Sequence, residues 1–320
     1  MPENKLPFQS FHQTIQKRFE EIVAMFPGLV AIDFGEVTIT YEELNRVANQ
    51  LAHKIIDRTG ENKNHIAIFL ENSPMQIIAI LGVLKAGRAY VALDINFPER
   101  YNLQITRDAQ CKFIITDKSN LEKARSFADD QYLIMAEEDK YYPDTNPTQP
   151  IDPQDPAVLF YTSGSTGQPK GALHSHVSMV HLSKRFSNLA DLHIDNRFAY
   201  YLSVGFSAHI LPVLGALHHG GTLCMFNKGL QDLEGFKGWL NNKGITLAMM
   251  IPSFTRYFRA IFSKHEKLKF LKTLFVGGET LYRNDVEKLR NILSDNGVII
   301  NIYASSETYL SRAFKIKNDT

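Results

Sequence analysis

An apolar run, Ala157-Val158-Leu159-Phe160-Tyr161, passes directly into Thr162-Ser163-Gly164-Ser165-Thr166-Gly167-Gln168-Pro169-Lys170-Gly171, and no other stretch limits what the chain can become so strongly. The run reads as a buried strand, and residues 162–171 read as a loop of glycines and hydroxyl residues. Glycine lets the backbone approach an anion closely, and successive N–H groups in such a loop form a concave nest for phosphate oxygens. The hydroxyls of Thr162, Ser163, Ser165 and Thr166 add donors, and Lys170 adds a point charge. A polyphosphate suits this set. The competing reading is a flexible Gly/Ser linker, which the preceding apolar strand and the placing of Pro169 and Lys170 disfavour. The loop is not of the G-x-x-x-x-G-K-S/T kind, because Pro169 precedes the lysine and Gly171 comes after it.

Around this loop, strand-like and helix-like stretches alternate. Phe11, Ile15, Phe19, Ile22, Val23 and Phe26 predict a helix over 10–26, with Ser10 as its cap. A strand is expected at 29–34. Thr40-Tyr41-Glu42-Glu43 is a capping box opening a helix that buries Leu44, Val47, Ala48, Leu51 and Ile55. Strands at 65–70, 89–93, 112–116 and 132–135 are separated by helices at 74–86, from 98, and at 119–128. Ser73-Pro74 starts the first of these helices and Gly87 stops it. Beyond the loop, a helix over 175–188 comes directly. Strands at 198–202, 222–226, 245–251, 273–276 and 298–303 then alternate with helices at 209–218, 231–242, 253–263 and 284–294. The pattern is α/β, with mixed or parallel sheet and helices on its faces. Pro143, Pro147, Pro150, Pro153 and Pro156 mark an extended connection, dividing a first α/β subdomain (1–140) from a second (157–320) across residues 141–156.

A formal net charge of +1 offers no basic excess for nucleic acid, since counterion release needs clustered Lys and Arg. Cys111 and Cys224 have no metal-ligand spacing, and His174, His176, His209, His218 and His219 match no zinc signature. The N-terminal residues lack the apolar core of a signal peptide, and the most apolar window, Ile77 to Leu84, is too short to cross a bilayer. A cytoplasmic protein with reduced thiols is expected.

Ligands of open α/β sheets bind beyond the C-terminal ends of strands. Three such junctions are expected to converge: Tyr161-Thr162, Val276-Gly277 and Tyr303-Ala304. In Phe275-Val276-Gly277-Gly278-Glu279 the glycines either bare the backbone to a flat ring or form a tight turn. Asn301-Ile302-Tyr303-Ala304-Ser305-Ser306-Glu307 ends in an aromatic, two hydroxyls and a carboxylate. Seen with the phosphate loop, they suit a ring stack, a phosphate contact and a Mg²⁺ ligand; taken alone, a core aromatic and a solvated carboxylate.

The loop Thr162 to Gly171 resembles the signature of the AMP-forming adenylation superfamily, which comprises acyl-CoA synthetases, adenylation domains of non-ribosomal peptide synthetases and luciferases. Thr40 to Leu44 with Ala48-Asn49-Gln50-Leu51-Ala52 resembles its first block. Leu84 to Asp94 with Phe97-Pro98-Glu99-Arg100 is similar to the next, in the peptide-synthetase form. Gly277-Gly278-Glu279 and Tyr303 to Glu307 come next, in the family's order. The resemblance implies the large N-terminal domain of an adenylating enzyme, with stacked sheets. It implies a carboxylate attacking the α-phosphorus of ATP to give acyl-adenylate and pyrophosphate, then transfer to a thiol of CoA or a phosphopantetheinyl carrier. Thr162, Ser163, Gly164, Ser165, Thr166, Gly167 and Lys170 would hold the phosphates. Gly277, Gly278, Glu279 and Tyr303 would form the adenine slot, Ser306 would touch the α-phosphate, and Glu307 with Thr166 would bind Mg²⁺. Lys170, Ser306 and Glu307 are the residues implied in catalysis.

Three departures accompany the resemblance. Ala304 stands where the family has glycine. Phe206-Ser207 stands where α-amino-acid-activating members carry Phe-Asp, and a serine cannot neutralise a substrate ammonium. The substrate pocket containing Phe206, Ser207 and Ala304 is therefore expected to take a fatty, aryl, hydroxy or keto acid. The family's ribose-binding aspartate, hinge and small lid domain find no counterpart before Thr320, so the chain is expected to turn over poorly without them. The alternative is a catalytically inactive nucleotide- or acyl-binding module; a downstream carrier domain is the implied partner.

Overall fold

A computed structural model describes residues 12–61, 63–129, 132–136, 141–163, 168–226 and 228–316. Helix α1 (Ile15–Met25) places Ile15, Phe19 and Ile22 three and four residues apart and buries all three. Thr14 is its N-cap; Ser10 lies outside the described residues. Helix α2 (Tyr41–Thr59) opens on the capping box: Glu43 N donates to Thr40 Oγ1 at 3.2 Å, and Thr40 N donates to Glu43 Oε2 at 2.8 Å. Helix α3 (Pro74–Lys85) starts on its N1 proline and gives way to Gly87 at φ +68°, a left-handed conformation that favours glycine.

Fourteen strands of the described residues form two sheets. The first contains β3 (Ile66–Ile68), β4 (Tyr90–Ala92), β5 (Phe113–Thr116), β6 (Leu133–Met135), β7 (Pro156–Ser163) and β8 (Pro169–Ser175), in the order β6-β5-β3-β4-β7-β8. All its pairs are parallel except β7–β8. The second contains β1 (Val30–Phe34), β2 (Val37–Thr40), β9 (Arg197–Tyr200), β10 (Thr222–Met225), β11 (Leu247–Met250), β12 (Thr273–Gly277), β13 (Val298–Ser305) and β14 (Tyr309–Ile316). Its order is β14-β13-β12-β11-β9-β10-β1-β2, parallel inside and antiparallel at both edge pairs.

Alternate residues of each strand face opposite layers. Ile66, Ile115, Val158 and Phe160 of the first sheet share a core with Phe198, Tyr200, Leu223, Met249 and Ile300 of the second. Between them pack α1, α2, α3, α6 (His176–Ala190) and α7 (Ile210–Leu217). Residues of the opposite parity, such as Ala248, Met250 and Leu274, pack outward against α8 (Leu233–Asn242), α9 (Pro252–Arg259) and α10 (Arg283–Arg290). On the far side, Ala67, Val91 and Ile114 pack against α4 (Glu99–Asp108) and α5 (Leu121–Ala124). Each large core side chain contributes about 1.5–3 kcal/mol by burial. Buried polar groups stitch the layers together: Tyr41 OH donates to the carbonyls of Ala216 (2.9 Å) and Gly221 (2.7 Å), and Tyr200 OH donates to Gln76 Oε1 at 3.0 Å.

Four features differ from the sequence reading. The glycine-rich loop does not lead straight into a helix. Its flanks pair as the antiparallel strands β7 and β8, with Thr162 opposite Lys170 and Ser163 opposite Pro169, and α6 begins only after β8. Strand β14 folds back on β13 at the other sheet's edge, and the helix expected over 119–128 is confined to Leu121–Ala124. Sheet membership also does not follow the Pro-rich connection, since β7 and β8 join the first sheet and β1 and β2 the second.

Candidate active site

The C-terminal ends of β7, β9, β12 and β13 lead into the residues singled out from the sequence. Strands β7 and β8 flank the segment read from the sequence as phosphate-binding. Thr162 is half-buried, Lys170 is exposed, and Ser163 ends β7. Gly164, Ser165, Thr166 and Gly167 lie outside the described residues. At the hairpin's base, Tyr161 OH donates to Asp108 Oδ2 at 2.6 Å, tying it to the end of α4. Burial, then the neighbouring Asp108, raises the Tyr161 pKa far above that of a free phenol.

Ser207 and Ser306 meet. Their Oγ atoms are 3.0 Å apart, one hydroxyl in the segment after β9 and the other in the turn joining β13 to β14. That turn comprises Ser306, Glu307 and Thr308, with Ser305 opposite Tyr309 across the ladder. Ser305 Oγ accepts from Thr308 N at 3.3 Å, a local side-chain bond of the kind that stabilises turns. The hairpin reaches the same turn through His174 on β8, whose Nε2–H donates to the Ser306 carbonyl at 2.8 Å. Strand β8, the Ser306–Glu307 turn and the Phe206-Ser207 segment thus form one connected unit across both sheets.

Phe206 is 62% exposed, its ring edge-on to Phe97 at 6.4 Å. Phe97 is held in turn by the loop after β4. Asp94 Oδ2 accepts from Ser203 Oγ, and Asp94 Oδ1 accepts from Asn96 N at 2.8 Å. Gly205 packs so closely on Phe97 that a Cβ there would sit 2.8 Å from the ring. Leu93-Asp94 and Phe97 therefore brace the segment that presents Phe206 and Ser207.

The glycine pair has a steric cause. A Cβ on Gly277 would lie 2.4 Å from Ile302 Cγ1 and 2.5 Å from the Ile302 carbonyl oxygen, and Gly278 has φ +87°. Glu279 turns away to the start of α9, where its carboxylate accepts from Ser253 N (2.8 Å) and Ser253 Oγ (2.7 Å), satisfying a free helix N–H. Tyr303 is 74% exposed, and among the described residues no hydrogen bond or ring contact joins it to Gly277, Gly278 or Glu279. Ala304 is exposed beside a register shift between Tyr303 and Ala304, where the β14 partner jumps from Arg312 to Leu310.

The Ser305 hydroxyl holds the exposed Glu307 carboxyl below its ordinary pKa, helped by the Glu307 N–H and by the charges of His174 and Lys170. Lys170 and Glu307 are thus electrostatic neighbours at the mouth of the site. Exposed carboxylate and hydroxyl oxygens are hard donors that suit Mg²⁺, which takes one or two protein carboxylates and completes its shell with phosphates and water. Among the described residues, no cluster of three or more His, Cys, Asp or Glu forms a metal cage. The other histidines are bound into the scaffold: His218 lies between Ser183 Oγ (3.1 Å) and the Ile15 carbonyl (3.1 Å), and His176 Nδ1 accepts from Ile15 N at 3.4 Å. A cleft of about 520 Å³ between α9 and α10, bordered by Arg256, Arg259, Tyr282 and Lys288, contains none of the site residues named from the sequence.

Sequence reasoning missed His174, His209 and Tyr309 as parts of this unit. His209 is fully buried and bonds the Phe206 carbonyl through Nδ1 at 2.9 Å. Tyr309 packs on His174 with ring centroids 4.5 Å apart. Nothing in their spacing signals this, because each acts on residues distant in sequence or on backbone atoms.

Known proteins share both this sequence pattern and this fold. The profile of the AMP-binding enzyme family matches residues 19–319. Tyrocidine synthase 1 of Brevibacillus parabrevis is 30% identical over 299 residues, 92% of this chain and 27% of that protein. The chain thus spans about a quarter of the length of such relatives. Among solved structures, the N-terminal subdomain of Klebsiella oxytoca NpsA in complex with 3-hydroxybenzoyl-AMSN superposes with a TM-score of 0.85 at 22% identity, covering 98% of this chain and 78% of that one. An artificially fused adenylation–PCP di-domain, NpsA-ThdA of the same organism, gives 0.81 at 22% identity over 97% of this chain and 61% of that one.

Proposed function

The chain belongs to the AMP-binding enzyme family, and from that premise we propose that it activates a carboxylic acid with ATP, forming an acyl-adenylate and releasing pyrophosphate. The observation that carries this reading is the linkage of the phosphate hairpin, through His174, to a turn bearing Ser306 and Glu307. A cationic loop, a hydroxyl and a carboxylate about one point are what phosphoryl transfer needs for positioning and charge neutralisation.

In this reading Thr162, Ser163, Gly164, Ser165, Thr166, Gly167 and Lys170 hold the β- and γ-phosphates. Gly277 and Gly278 present bare backbone to the adenine, Tyr303 covers its face, and Glu279 anchors that loop by holding Ser253. Ser306 donates to the α-phosphate. Glu307, with Thr166, holds Mg²⁺, which when bound neutralises charge on the phosphates. The protein's own work is to fix the acid's carboxylate in line with the α-phosphorus and to keep the leaving oxygens bonded.

The acid is proposed to lack an α-ammonium. Ser207 offers a hydroxyl already shared with Ser306, and a hydroxyl cannot neutralise an ammonium. The adenylate analogue carried by NpsA is a 3-hydroxybenzoyl compound, which supports an aryl or hydroxy acid for a pocket of similar fold. Transfer to a thiol, of CoA or of a phosphopantetheinyl carrier, is proposed as the second half-reaction; the adenylation–PCP fusion of NpsA supports a carrier as partner. A cytoplasmic setting, where Mg·ATP is available, suits this chemistry. The test is ATP–pyrophosphate exchange over a panel of aryl, hydroxy, keto, fatty and amino acids, with K170A and E307A alongside. Acid-dependent exchange lost in both variants supports the reading; exchange unchanged in both overturns the assignment of these residues.

A further inference from the structure

We infer that His174 and His209 form a paired clamp that sets the Ser207–Ser306 contact, making both positioning residues for the acid activation proposed above, on which this inference rests. The two imidazoles flank one ring. Phe160 on β7 lies 6.1 Å from the His174 ring and 5.5 Å from the His209 ring, and Tyr309 closes the group at 5.4 Å from Phe160. Each imidazole bonds a backbone carbonyl beside one of the two serines. His174 Nε2 reaches the Ser306 carbonyl at 2.8 Å, and His209 Nδ1 reaches the Phe206 carbonyl, next to Ser207, at 2.9 Å.

A carbonyl only accepts, so these contacts assign the tautomers. His174 carries its proton on Nε2. His209 carries its proton on Nδ1, which leaves Nε2 to accept from Tyr90 OH at 3.4 Å. Tyr90 and His209 are both fully buried, and the hydrogen-bonded relay runs outward from them to the carbonyl of the exposed Phe206. Polar groups buried in this way hold their geometry, because a broken bond leaves an unsatisfied group away from water. The two serines sit on separate loops with β11 and β12 between their strands. Without the clamp, their mutual hydrogen bond and the Asp94 and Phe97 brace on the Ser207 segment hold them. With it, each loop is held against the same aromatic ring of the hairpin that presents the phosphate loop.

The clamp is a unit, so its members act non-additively. The experiment compares H174A, H174Q, H209A, H209Q and the H174A/H209A double variant for kcat, KM for ATP, thermal midpoint and hydrogen exchange of residues 303–309. Glutamine keeps an N–H donor in place of the ring. H174A and H209A should each lower kcat about tenfold or more, with KM for ATP changed by no more than about threefold. The double variant should fall no more than about twofold below the worse single variant. The glutamine variants should recover part of the loss, and exchange at 303–309 should rise in both alanine variants. Wild-type kcat in the alanine variants, equal losses for alanine and glutamine, or fully multiplicative losses would each overturn the clamp. If no acid supports exchange by the wild-type protein, the activation reading fails by itself. Hydrogen exchange then decides the clamp: unchanged protection at 303–309 in H174A and H209A refutes it, and lowered protection in both sustains it.

Discussion

Ser207 Oγ lies 3.0 Å from Ser306 Oγ, although their strands, β9 and β13, are separated by β11 and β12 in the same sheet. The two hydroxyls bring the segment read as acid pocket to the turn read as α-phosphate contact. S207D places a carboxylate against that turn, where it repels both an incoming carboxylate and a phosphate. The expected outcome is a fall of at least about a hundredfold in kcat/KM for the acid the wild type prefers, about 2.7 kcal/mol of transition-state stabilisation. Activity of S207D towards that acid at the wild-type level would place the acid elsewhere.

Lys170 and Glu307 face the mouth of the site with opposite charges, and both are exposed. Exposure makes them unimportant for stability, since surface charges contribute about 0–1 kcal/mol. K170A and E307A should therefore melt within a few degrees of wild type while losing acid-dependent pyrophosphate exchange by about a hundredfold or more. Calorimetry with exchange assays checks both halves; a large melting shift with retained exchange reverses the assignment.

Gly277 is required sterically. A methyl there meets the Ile302 side chain at 2.4 Å and, less forgivingly, the Ile302 carbonyl at 2.5 Å. G277A should cost about 3 kcal/mol or more, because the partner strand's backbone cannot step aside without breaking β12–β13 pairing. Gly28 is the control, because a methyl there would have nothing within 4 Å. G28A should change stability by about 0.5 kcal/mol or less. Urea unfolding of the two variants makes the comparison.

Buried imidazoles set an acid limit on stability. Burial holds His176 and His209 down to about 4 and His219 to about 3, and drives His218 well below its ordinary value. Each therefore stays neutral in the fold while its unfolded counterpart, at about 6.5, takes up a proton as pH falls. Stability should decline as pH drops from about 6.5 towards 4 and should show no slope from these groups above about 7. Urea midpoints that stay level from pH 7 to pH 5 would contradict this.

Much of the fold was legible because its signals are local. The Thr40–Glu43 capping box, the N1 position of Pro74 and the left-handed Gly87 each act within a few residues, and each forms the expected boundary. At the Gly277-Gly278 junction, Gly277 is demanded by the adjacent strand and Gly278 by its left-handed φ of +87°. The missed strands β2, β8 and β14 are sheet edges, exposed on one side, so Lys170 to Ser175 lacks the apolar run that reveals β7. The histidine clamp was illegible for another reason. His174 meets the backbone of a residue 132 positions away, and a carbonyl acceptor leaves no mark on the partner's identity. Glu279 shows another limit: nothing in its motif points to Ser253, the residue through which its carboxylate caps α9.

Activation of an acid without an α-ammonium at this site is tested most directly by ATP–pyrophosphate exchange over the acid panel, with S207D, K170A and E307A as controls. The prediction is exchange that requires an aryl, hydroxy, keto or fatty acid, is weak with common amino acids, and disappears in K170A and E307A. Best exchange with a common α-amino acid, or exchange untouched in those two variants, would contradict it.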